Sequence, residues 1–398
     1  PTVRANAAAY FNVGAAANCY ANATMTVESV TLYASELSAD EVAGGSISYD
    51  YNFVGKELNA DGWTTAGTRS QDASITEAGL SLVGDQSDES SSVSYSIANP
   101  LQGKAENGFS VRMTLSVTDD IDAFQSIFGF SDAAAPGDAD WSFFSVSGDG
   151  LSMHKNCAGY WDLNATSTLD MTAMSEYVLT VSGDGVVNVY LNGENVATYT
   201  SASITAGDWE NPTVRANAAA YFNVGAAANC YANATMTVES VTLYSSTLTE
   251  AEVEEAYAQS IADSLNLQVV GMQKGTTTTS QEAIRFVANV DESVVGNEAI
   301  VNLGWAWQAG TALDGSYVTP PVTTVADDDT LATEGNYAYT LLFEADTDTN
   351  YAVAPYVSVQ VGGNTYNFCY NGRYGNFETT NSSSNIVYVP VDFAVVGA

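Results

Sequence analysis

Short stretches of alternating apolar and polar residues fill most of the chain. They include SISYDYNFV, GFSVRMTLSVT and VVNVYLNGENVATYT, all within the region that starts at residue 45. Alternation with a period of two places successive side chains on opposite faces of a strand, so each stretch predicts a β-strand with one buried face. Turn residues break the stretches at short intervals. Many short antiparallel strands of this kind indicate an all-β sandwich or jelly roll.

Three dipeptides predict hairpins within this region. Asp149-Gly150, Asp184-Gly185 and Asn192-Gly193 each lie between alternating runs. Such pairs accept the positive φ angles of tight turns whose twist matches that of the flanking strands. We therefore expect three pairs of strands to be joined at these positions.

One segment, 249–265, has the pattern of a helix. Thr249 can cap its first turn, with Glu252 reaching back in a capping box. Apolar residues then recur every four positions on one face, at Val253, Tyr257, Ile261 and Leu265. We expect a connecting helix that packs this stripe on a domain edge; a helix that binds a partner is the alternative.

An exact repeat sets the domain organisation. Residues 1–33 recur without change at 212–244. The period is longer than the roughly 20–50 residues of solenoid repeats and indicates tandem whole domains. We interpret 1–44 as the tail of one module and 45–248 as a complete second one, and we expect the parent polypeptide to extend upstream of residue 1.

The second module carries motifs of a known family. VNVYLNGENVATY, AAYFNVGAAAN and ATMTVESVTLYSSTLTEAEV follow one another between residues 187 and 253. Their order and spacing resemble the closing half of a laminin-G-like, concanavalin A-like jelly roll. The resemblance implies tandem sandwiches of two packed sheets that serve as extracellular recognition or structural modules.

A third unit is expected at 266–398. Its runs again alternate as strands, and its length suits an immunoglobulin-like β-sandwich. The sequence GMQ, AIRFVA and YAVAPYV resembles C-terminal modules of large surface proteins of anaerobic bacteria, which implies a location more than an activity.

Charge restricts the partners. The chain has 10 Lys plus Arg against 47 Asp plus Glu, a net charge of −37. Nucleic acid and anionic membranes are therefore excluded as partners, since phosphate binding depends on Lys and Arg, while cations are favoured. The Ser/Thr/Asn/Gly-rich composition is typical of secreted bacterial surface proteins; a salt-adapted surface is the alternative. No apolar run reaches the ~18 residues that would span a bilayer.

Four cysteines are present, and Cys19 is the repeat copy of Cys230. Cys157 and Cys230 lie in one module and could form a disulfide, which suits an oxidising compartment. Two buried free thiols are the alternative.

Catalytic groups are scarce in the sequence. His154 is the single histidine, and a Ser or Cys nucleophile usually needs an imidazole base. The Glu-x-Asp-x-x-Glu run of glycoside hydrolases with concanavalin-like folds does not occur, although carboxylates from separate strands could still meet. We therefore expect a protein that is not an enzyme.

Acidic loops are the candidate metal sites. Calcium prefers about six to eight oxygen ligands, and loops rich in Asp can supply them. The resemblance to laminin-G-like domains implies calcium at the rim of the sandwich, for which we select Asp119, Asp122, Asp138 and Asp140. The alternative is that these loops are simply solvated.

Aromatic and polar residues together suggest a sugar site. Tyr160 and Trp161 beside Asp162 and Asn164 are expected to form a loop with a flat surface and hydrogen-bonding groups. By contrast, we expect the alternating Trp305 and Trp307 to form part of a core wall.

These features lead to two expectations for function. The first is an extracellular, cell-surface protein that acts in adhesion or recognises a glycan or another extracellular protein. The alternative is a structural subunit or repeat segment of an extracellular fibre, in which neighbouring copies of the chain are the partners. Residues 1–44 contain too few strands for a sandwich, so their edges need either upstream chain or a neighbouring subunit.

Overall fold

The computed structural model describes the residues in the following ranges: 47–84, 93–118, 125–135, 143–147, 150–156, 159–162, 171–203, 211–226, 233–276, 281–309, 336–344, 350–369, 373–376 and 389–391. Strands account for most of the elements in these ranges. The predicted all-β class is therefore confirmed.

The strands between residues 48 and 244 form two antiparallel sheets. The described strands are β1 (Ser48–Asn52), β2 (Thr64–Ala66), β3 (Ala73–Thr76), β4 (Gly79–Leu82), β5 (Ser94–Ala98), β6 (Gly108–Val117), β7 (Gln125–Ser131), β8 (Phe143–Ser147), β9 (Gly150–Asn156), β10 (Gly159–Asp162), β11 (Ser175–Ser182), β12 (Val187–Leu191), β13 (Glu194–Tyr199), β14 (Tyr221–Gly225) and β15 (Met236–Tyr244). The first sheet has the order β13-β12-β11-β6-β15-β4-β3, and β1 also pairs with β15. The second sheet has the order β10-β9-β8-β7-β14-β5-β2.

The core lies between these two sheets. On β6, Val111, Met113 and Leu115 are almost fully buried, while the alternating residue Arg112 is only partly buried on the outer face. Phe222 of β14 faces them from the second sheet and is also fully buried. The period-two pattern of the sequence thus sorts side chains into core and outer face, as expected for a sandwich.

A β-bulge interrupts β15. The residues that face the core are Val238 and then Val241, three positions apart. The pairing of β15 with β6 shifts register between Val238 and Ser240, which leaves Glu239 as the additional residue. The bulge lets both valines face the core and directs Ser240 to the outer face.

The predicted hairpins are present, with two differences in their turns. Asn192 and Gly193 have φ angles of 51° and 80° and join β12 to β13 as a two-residue turn, as predicted. Strands β8 and β9 also pair as a hairpin, but Gly150 pairs with Ser147 and belongs to β9, not to the turn as predicted. The loop between β11 and β12 is longer than two residues. Of the predicted Asp184-Gly185 pair, only Gly185 has a positive φ, and its N–H donates to the Ser182 carbonyl.

Three helices are described: α1 (Pro212–Ala218), α2 (Glu250–Ser264) and α3 (Glu292–Val295). In α2 the side chain of Thr249 accepts from the Glu252 N–H and the Glu252 side chain accepts from the Thr249 N–H, which confirms the predicted capping box. Helix α1 was not predicted; Asn211 caps it and Pro212 occupies its first position. None of the helices in the described ranges has the length and hydrophobicity needed to cross a lipid bilayer.

Helix α2 is packed on two sides. Val253 contacts Val178 and Tyr190 on the outer face of the first sheet. Ile261 and Leu265 belong to a second cluster, together with residues of the C-terminal sheets. The helix therefore connects the first sandwich to the C-terminal sheets and packs against both.

The C-terminal region contributes two further antiparallel sheets. Its described strands are β16 (Gln268–Thr276), β17 (Gln281–Asn289), β18 (Ile300–Ala309), β19 (Asn336–Glu344), β20 (Asn350–Val361), β21 (Asn364–Cys369), β22 (Arg373–Asn376) and β23 (Val389–Val391). One sheet has the order β19-β17-β16-β23 and the other β18-β20-β21, with β22 paired to β20. Trp305 is fully buried there, as predicted. The immunoglobulin-like assignment and the domain boundaries stay predictions.

Candidate ligand-binding site at the rim of the sandwich

A cleft of about 380 Å³ flanks α2, and a smaller one of about 170 Å³ lies at the rim of the first sandwich. The rim cleft is formed by the end of β1, the loop that leads to β2, and β5. Because β1 belongs to the first sheet and β2 and β5 to the second, the loop crosses from one sheet to the other. We call this smaller cavity the rim cleft. It combines an aromatic floor with charged and polar groups at its edge.

Stacked aromatic rings make the floor rigid. Trp63 stacks on Tyr95, with ring centroids 5.1 Å apart and planes 10° apart. The edges of Phe53 and Tyr51 meet Trp63 at centroid distances of 5.2 and 5.1 Å. Phe53, Trp63 and Tyr95 are buried, whereas Tyr51 is only partly buried and leaves ring surface open to the cleft. Such packing holds the floor in a single arrangement.

Trp63, which lines the cleft, also has an unused hydrogen-bond donor. Its Nε1 is buried and has no hydrogen-bond partner within the described residues. A buried donor without a partner costs about 1–3 kcal/mol. A ligand oxygen at this position would offset that cost.

The loop above the floor is held in an unusual backbone conformation. Gly55, Asn59, Asp61 and Gly62 have φ angles of 70°, 65°, 54° and 85°. Asn, Asp and Gly tolerate this left-handed region better than other residues, so the sequence suits the conformation. Residues of this kind cluster at ligand-binding loops.

Side chains lock this loop in place. The backbone N–H of Asn59 donates to the hydroxyl oxygen of Tyr95 over 2.8 Å, and the N–H of Thr65 donates to Asn59 Oδ1 over 2.7 Å. At the start of the loop, the N–H of Val54 donates to Asn52 Oδ1 over 2.8 Å. The rim groups are therefore positioned before a ligand arrives.

The rim carries more negative than positive charge. Asp50, Glu57 and Asp61 line the cleft together with Lys56. Lys56 Nζ lies 3.2 Å from Asp61 Oδ2, and both side chains are exposed, so this ion pair contributes little to stability. The carboxylates remain available as acceptors for a ligand.

The phenols of the floor stay protonated at neutral pH. Burial raises the pKa of Tyr51, and the neighbouring Tyr49 and Asp50 raise it further. Burial likewise raises the pKa of Tyr95, against the lowering effect of its hydrogen bond from Asn59. Both hydroxyls therefore act as neutral hydrogen-bonding groups.

Together these groups suit a small molecule with an apolar face and several hydroxyls. The aromatic floor can contact the apolar face, the carboxylates can accept from hydroxyls, and Trp63 Nε1 can donate to one. Sequence analysis did not select these residues. The turn-rich segment Asn59-Ala60-Asp61-Gly62 between two aromatic residues was the available signal.

The structure places the predicted sugar site differently from expectation. Tyr160, Trp161 and Asp162 lie in the edge strand β10 and not in a loop, because β10 pairs with β9; aromatic residues favour such extended segments. His154 lies opposite Tyr160 on β9. Asn164 lies outside the described residues. The binding role of these residues stays a prediction.

The predicted calcium ligands cannot be compared with the structure. Asp119, Asp122, Asp138 and Asp140 all lie outside the described residues, as do Cys157 and Cys230. Within the described ranges, no group of three or more His, Cys, Asp or Glu side chains is placed to hold a metal ion. Calcium therefore stays a prediction.

Comparison with known proteins gives distant similarities in fold. No family model matches the sequence, and no curated protein matches it. A Trypanosoma rangeli sialidase in complex with sialic acid has a TM-score of 0.34 and 18% identity over 48% of this chain and 29% of its own. Domain 4 of an extracellular arabinanase from Geobacillus stearothermophilus, in complex with arabinotriose, has a TM-score of 0.36 and 15% identity over 52% of this chain and 95% of its own.

A third similar structure is the binding domain of botulinum neurotoxin DC in complex with rat synaptotagmin II. Its TM-score is 0.36 and its identity 9%, over 80% of this chain and 73% of its own. The chain thus spans less than a third of the length of the sialidase.

The comparison corrects one expectation. We predicted a protein that is not an enzyme from the single histidine and the absence of a hydrolase motif. Sialidases and a domain of an arabinanase are among the similar structures, which contradicts that prediction. The prediction is withdrawn.

Proposed function

We propose that the chain binds saccharides through the rim cleft and does so outside the cell. The observation that carries the proposal is the aromatic floor beneath carboxylates on a loop that is already fixed by hydrogen bonds. A saccharide ring presents an apolar face and hydroxyl groups, and this arrangement complements both. The acidic, Ser/Thr-rich composition supports the extracellular location.

Several rim groups have defined roles in this proposal. Tyr51 offers its open ring surface to the apolar face of the sugar. Asp50 and Asp61 accept hydrogen bonds from sugar hydroxyls, and Trp63 Nε1 donates one. Because the loop is ordered in advance, little ordering entropy is lost on binding.

A glycan array on the full chain tests the proposal, with Asp61→Asn as the main variant. Asparagine tolerates the positive φ of this position, so the loop is expected to keep its conformation. The variant removes a charged acceptor, worth about 1.5–3 kcal/mol in a hydrogen bond, so affinity should fall about 10-fold or more. Asp132→Asn, at an exposed position away from the cleft, is the matched control.

The two variants separate binding from stability. Urea unfolding of Asp61→Asn should stay within about 0.5 kcal/mol of the wild type, as for most surface substitutions. The proposal fails if no glycan binds with or without calcium. It also fails if Asp61→Asn binds as well as the Asp132→Asn control.

A second candidate function is a segment of an extracellular fibre, and the repeat favours it. The second copy of the repeat, 212–244, supplies α1, β14 and β15. Strand β14 lies between β7 and β5, and β15 lies between β6 and β4, so both are interior strands. If residues 1–33, which have the same sequence, form the same elements, they need equivalent neighbours to bury the same side chains.

We propose that a neighbouring copy of the chain supplies those neighbours. Sedimentation velocity of the full chain at rising concentration tests this proposal. Self-association that Phe11→Asp abolishes, without a change in the unfolding of the described sandwich, is the expected result. A monomer at every concentration would contradict it.

A further inference from the structure

The larger cleft, of about 380 Å³, lies beside α2 on the outer face of the first sheet. Strands β6, β11 and β15 form its base, and Tyr257 and Ser260 of α2 form one wall. We call it the helix cleft. None of its lining residues lines the rim cleft.

Glu176 is the buried acid of this cleft. Its side chain is 4% exposed, and its Oε2 accepts from Arg112 Nη2 over 2.6 Å. The same Arg112 nitrogen donates to the Ala256 carbonyl of α2 over 3.1 Å. Oε1 of Glu176 is buried and has no hydrogen-bond partner within the described residues.

The position of Glu176 is fixed by backbone hydrogen bonds to Asn192, in the turn that follows β12. Its N–H donates to Asn192 Oδ1 over 3.0 Å, and its carbonyl accepts from the Asn192 N–H over 2.8 Å. The free oxygen therefore belongs to a rigid group. A buried acceptor left unpaired is costly, so a ligand donor at Oε1 would be favoured.

Glu239, the bulged residue of β15, adds a second carboxylate to the cleft. It is partly buried, and its side chain has no hydrogen-bond or ion-pair partner in the described part of the chain. Glu176 and Ser240 are both aligned with Thr114 of β6, on either side of that strand. Two strand spacings of about 4.8 Å therefore separate the backbone of Glu176 from that of Ser240, the residue next to Glu239.

The chemistry of these groups selects the ligand. One positive and two negative side chains line the cleft, and Arg112 is already paired with Glu176 and the helix. A negative charge is left in excess, together with the hydroxyl oxygens of Thr114, Ser240 and Ser260. Oxygen acceptors around an excess negative charge favour a cationic donor over a neutral one.

The free oxygens also distinguish between cations. A guanidinium binds best when one carboxylate offers both oxygens, which Glu239 does and Glu176 does not. Contact with both carboxylates at once therefore needs donors that diverge. A primary ammonium has three donors that can diverge to separate acceptors. We propose that the helix cleft binds a primary ammonium group, held by Glu176, Glu239 and the adjacent hydroxyls.

Calorimetric titration of the full chain with matched probes tests this site. Nα-acetyl-lysine amide is compared with the arginine and norleucine amides, and glucosamine is compared with glucose. Each ammonium probe should bind about 10-fold more tightly than its neutral counterpart, because one charge-assisted hydrogen bond contributes about that much affinity. Binding of the lysine probe alone identifies a side chain as the source, and binding of glucosamine alone identifies an amino sugar.

Variants show whether the predicted groups are responsible. Glu239→Gln should weaken ammonium binding about 10-fold, whereas Glu298→Gln, which makes the same charge change at an exposed site, should not. Glu176→Gln should abolish binding, but it also alters the ion pair with Arg112. If Glu176→Gln folds poorly, the result for Glu239→Gln decides. The rim variant Asp61→Asn should leave ammonium binding unchanged.

Three results would overturn the proposal. They are equal binding of ammonium and neutral probes, equal or tighter binding of the arginine amide, and unchanged binding in Glu239→Gln. The amino-acid amides are not saccharides, and Glu239 does not line the rim cleft. Failure of one proposal therefore leaves the other standing.

Discussion

Replacing Tyr95 with Phe removes one hydroxyl that holds the rim loop in place. The ring should stay stacked on Trp63, because the stacking involves only the aromatic system. What is lost is the bond from the Asn59 N–H, which is 2.8 Å long. A neutral hydrogen bond contributes about 0.5–1.5 kcal/mol, so the expected loss is about 1 kcal/mol.

This loss should be local. The freed N–H belongs to a loop beside an open cleft, where water can replace the hydroxyl. At about 1.4 kcal/mol per factor of ten, a loss of 1 kcal/mol raises the population of the open loop about 5-fold. Saccharide affinity falls when a smaller fraction of the protein is competent to bind.

Hydrogen exchange of the Asn59 amide and saccharide titration measure the two effects. Tyr49→Phe is the matched control, since its hydroxyl contacts Lys104 outside the rim cleft. We expect Asn59 to exchange about 5-fold faster in Tyr95→Phe and affinity to fall in the same direction. Unchanged exchange at Asn59, or faster exchange with wild-type affinity, would refute the proposed coupling of loop order to binding.

Further predictions concern helix α2 and its contact with the C-terminal sheets. Gly362→Ala should destabilise the fold by about 2–4 kcal/mol, since φ of Gly362 is +57° and a Cβ there would lie 1.9 Å from Glu254 Oε1. At Gly363 an added Cβ contacts nothing, so Gly363→Ala should cost only about 1–2 kcal/mol. Urea unfolding measures both losses. Thr249→Ala removes the helix cap and should cost about 1 kcal/mol, with no change in ligand binding. Burial and the bond to Glu254 raise the pKa of Tyr366 from 10.0 to about 12. The protonated Tyr366 hydroxyl should therefore stabilise the fold below pH 10, and this stabilisation should be lost as pH rises through 12. The difference in free energy of unfolding between the wild type and Tyr366→Phe should narrow over that range.

Local signals in the sequence predicted the regular elements well. The Asn192-Gly193 turn and the Thr249 cap each depend on one or two residues whose conformational preferences are strong. Alternation along β6 predicted a strand with one buried face, and Val111, Met113 and Leu115 form that face. These features need no knowledge of distant parts of the chain.

Features that depend on two surfaces were harder to predict. The stripe on α2 was expected to include Tyr257, yet Glu254 and Ala258 are more deeply buried. The helix is covered both by the first sheet and by the C-terminal sheets, so more than one face is buried. A single-face pattern could not show this.

The rim cleft was not predictable because its parts are far apart in sequence. Tyr51 and Tyr95 belong to different sheets and meet only through the order of the strands. The bulge at Glu239 also depends on residues that are distant in sequence. The spacing of Val238 and Val241 indicates a break in the alternation of the strand, but only the pairing with β6 shows which residue is the additional one.

Saccharide binding at the rim cleft is tested most directly by a crystal structure of the full chain with a bound glycan selected from the array. We predict the sugar ring over Tyr51, with its hydroxyls within hydrogen-bonding distance of Asp61 and Trp63 Nε1. A sugar bound instead beside β10, or at any position away from the rim cleft, would contradict the proposal.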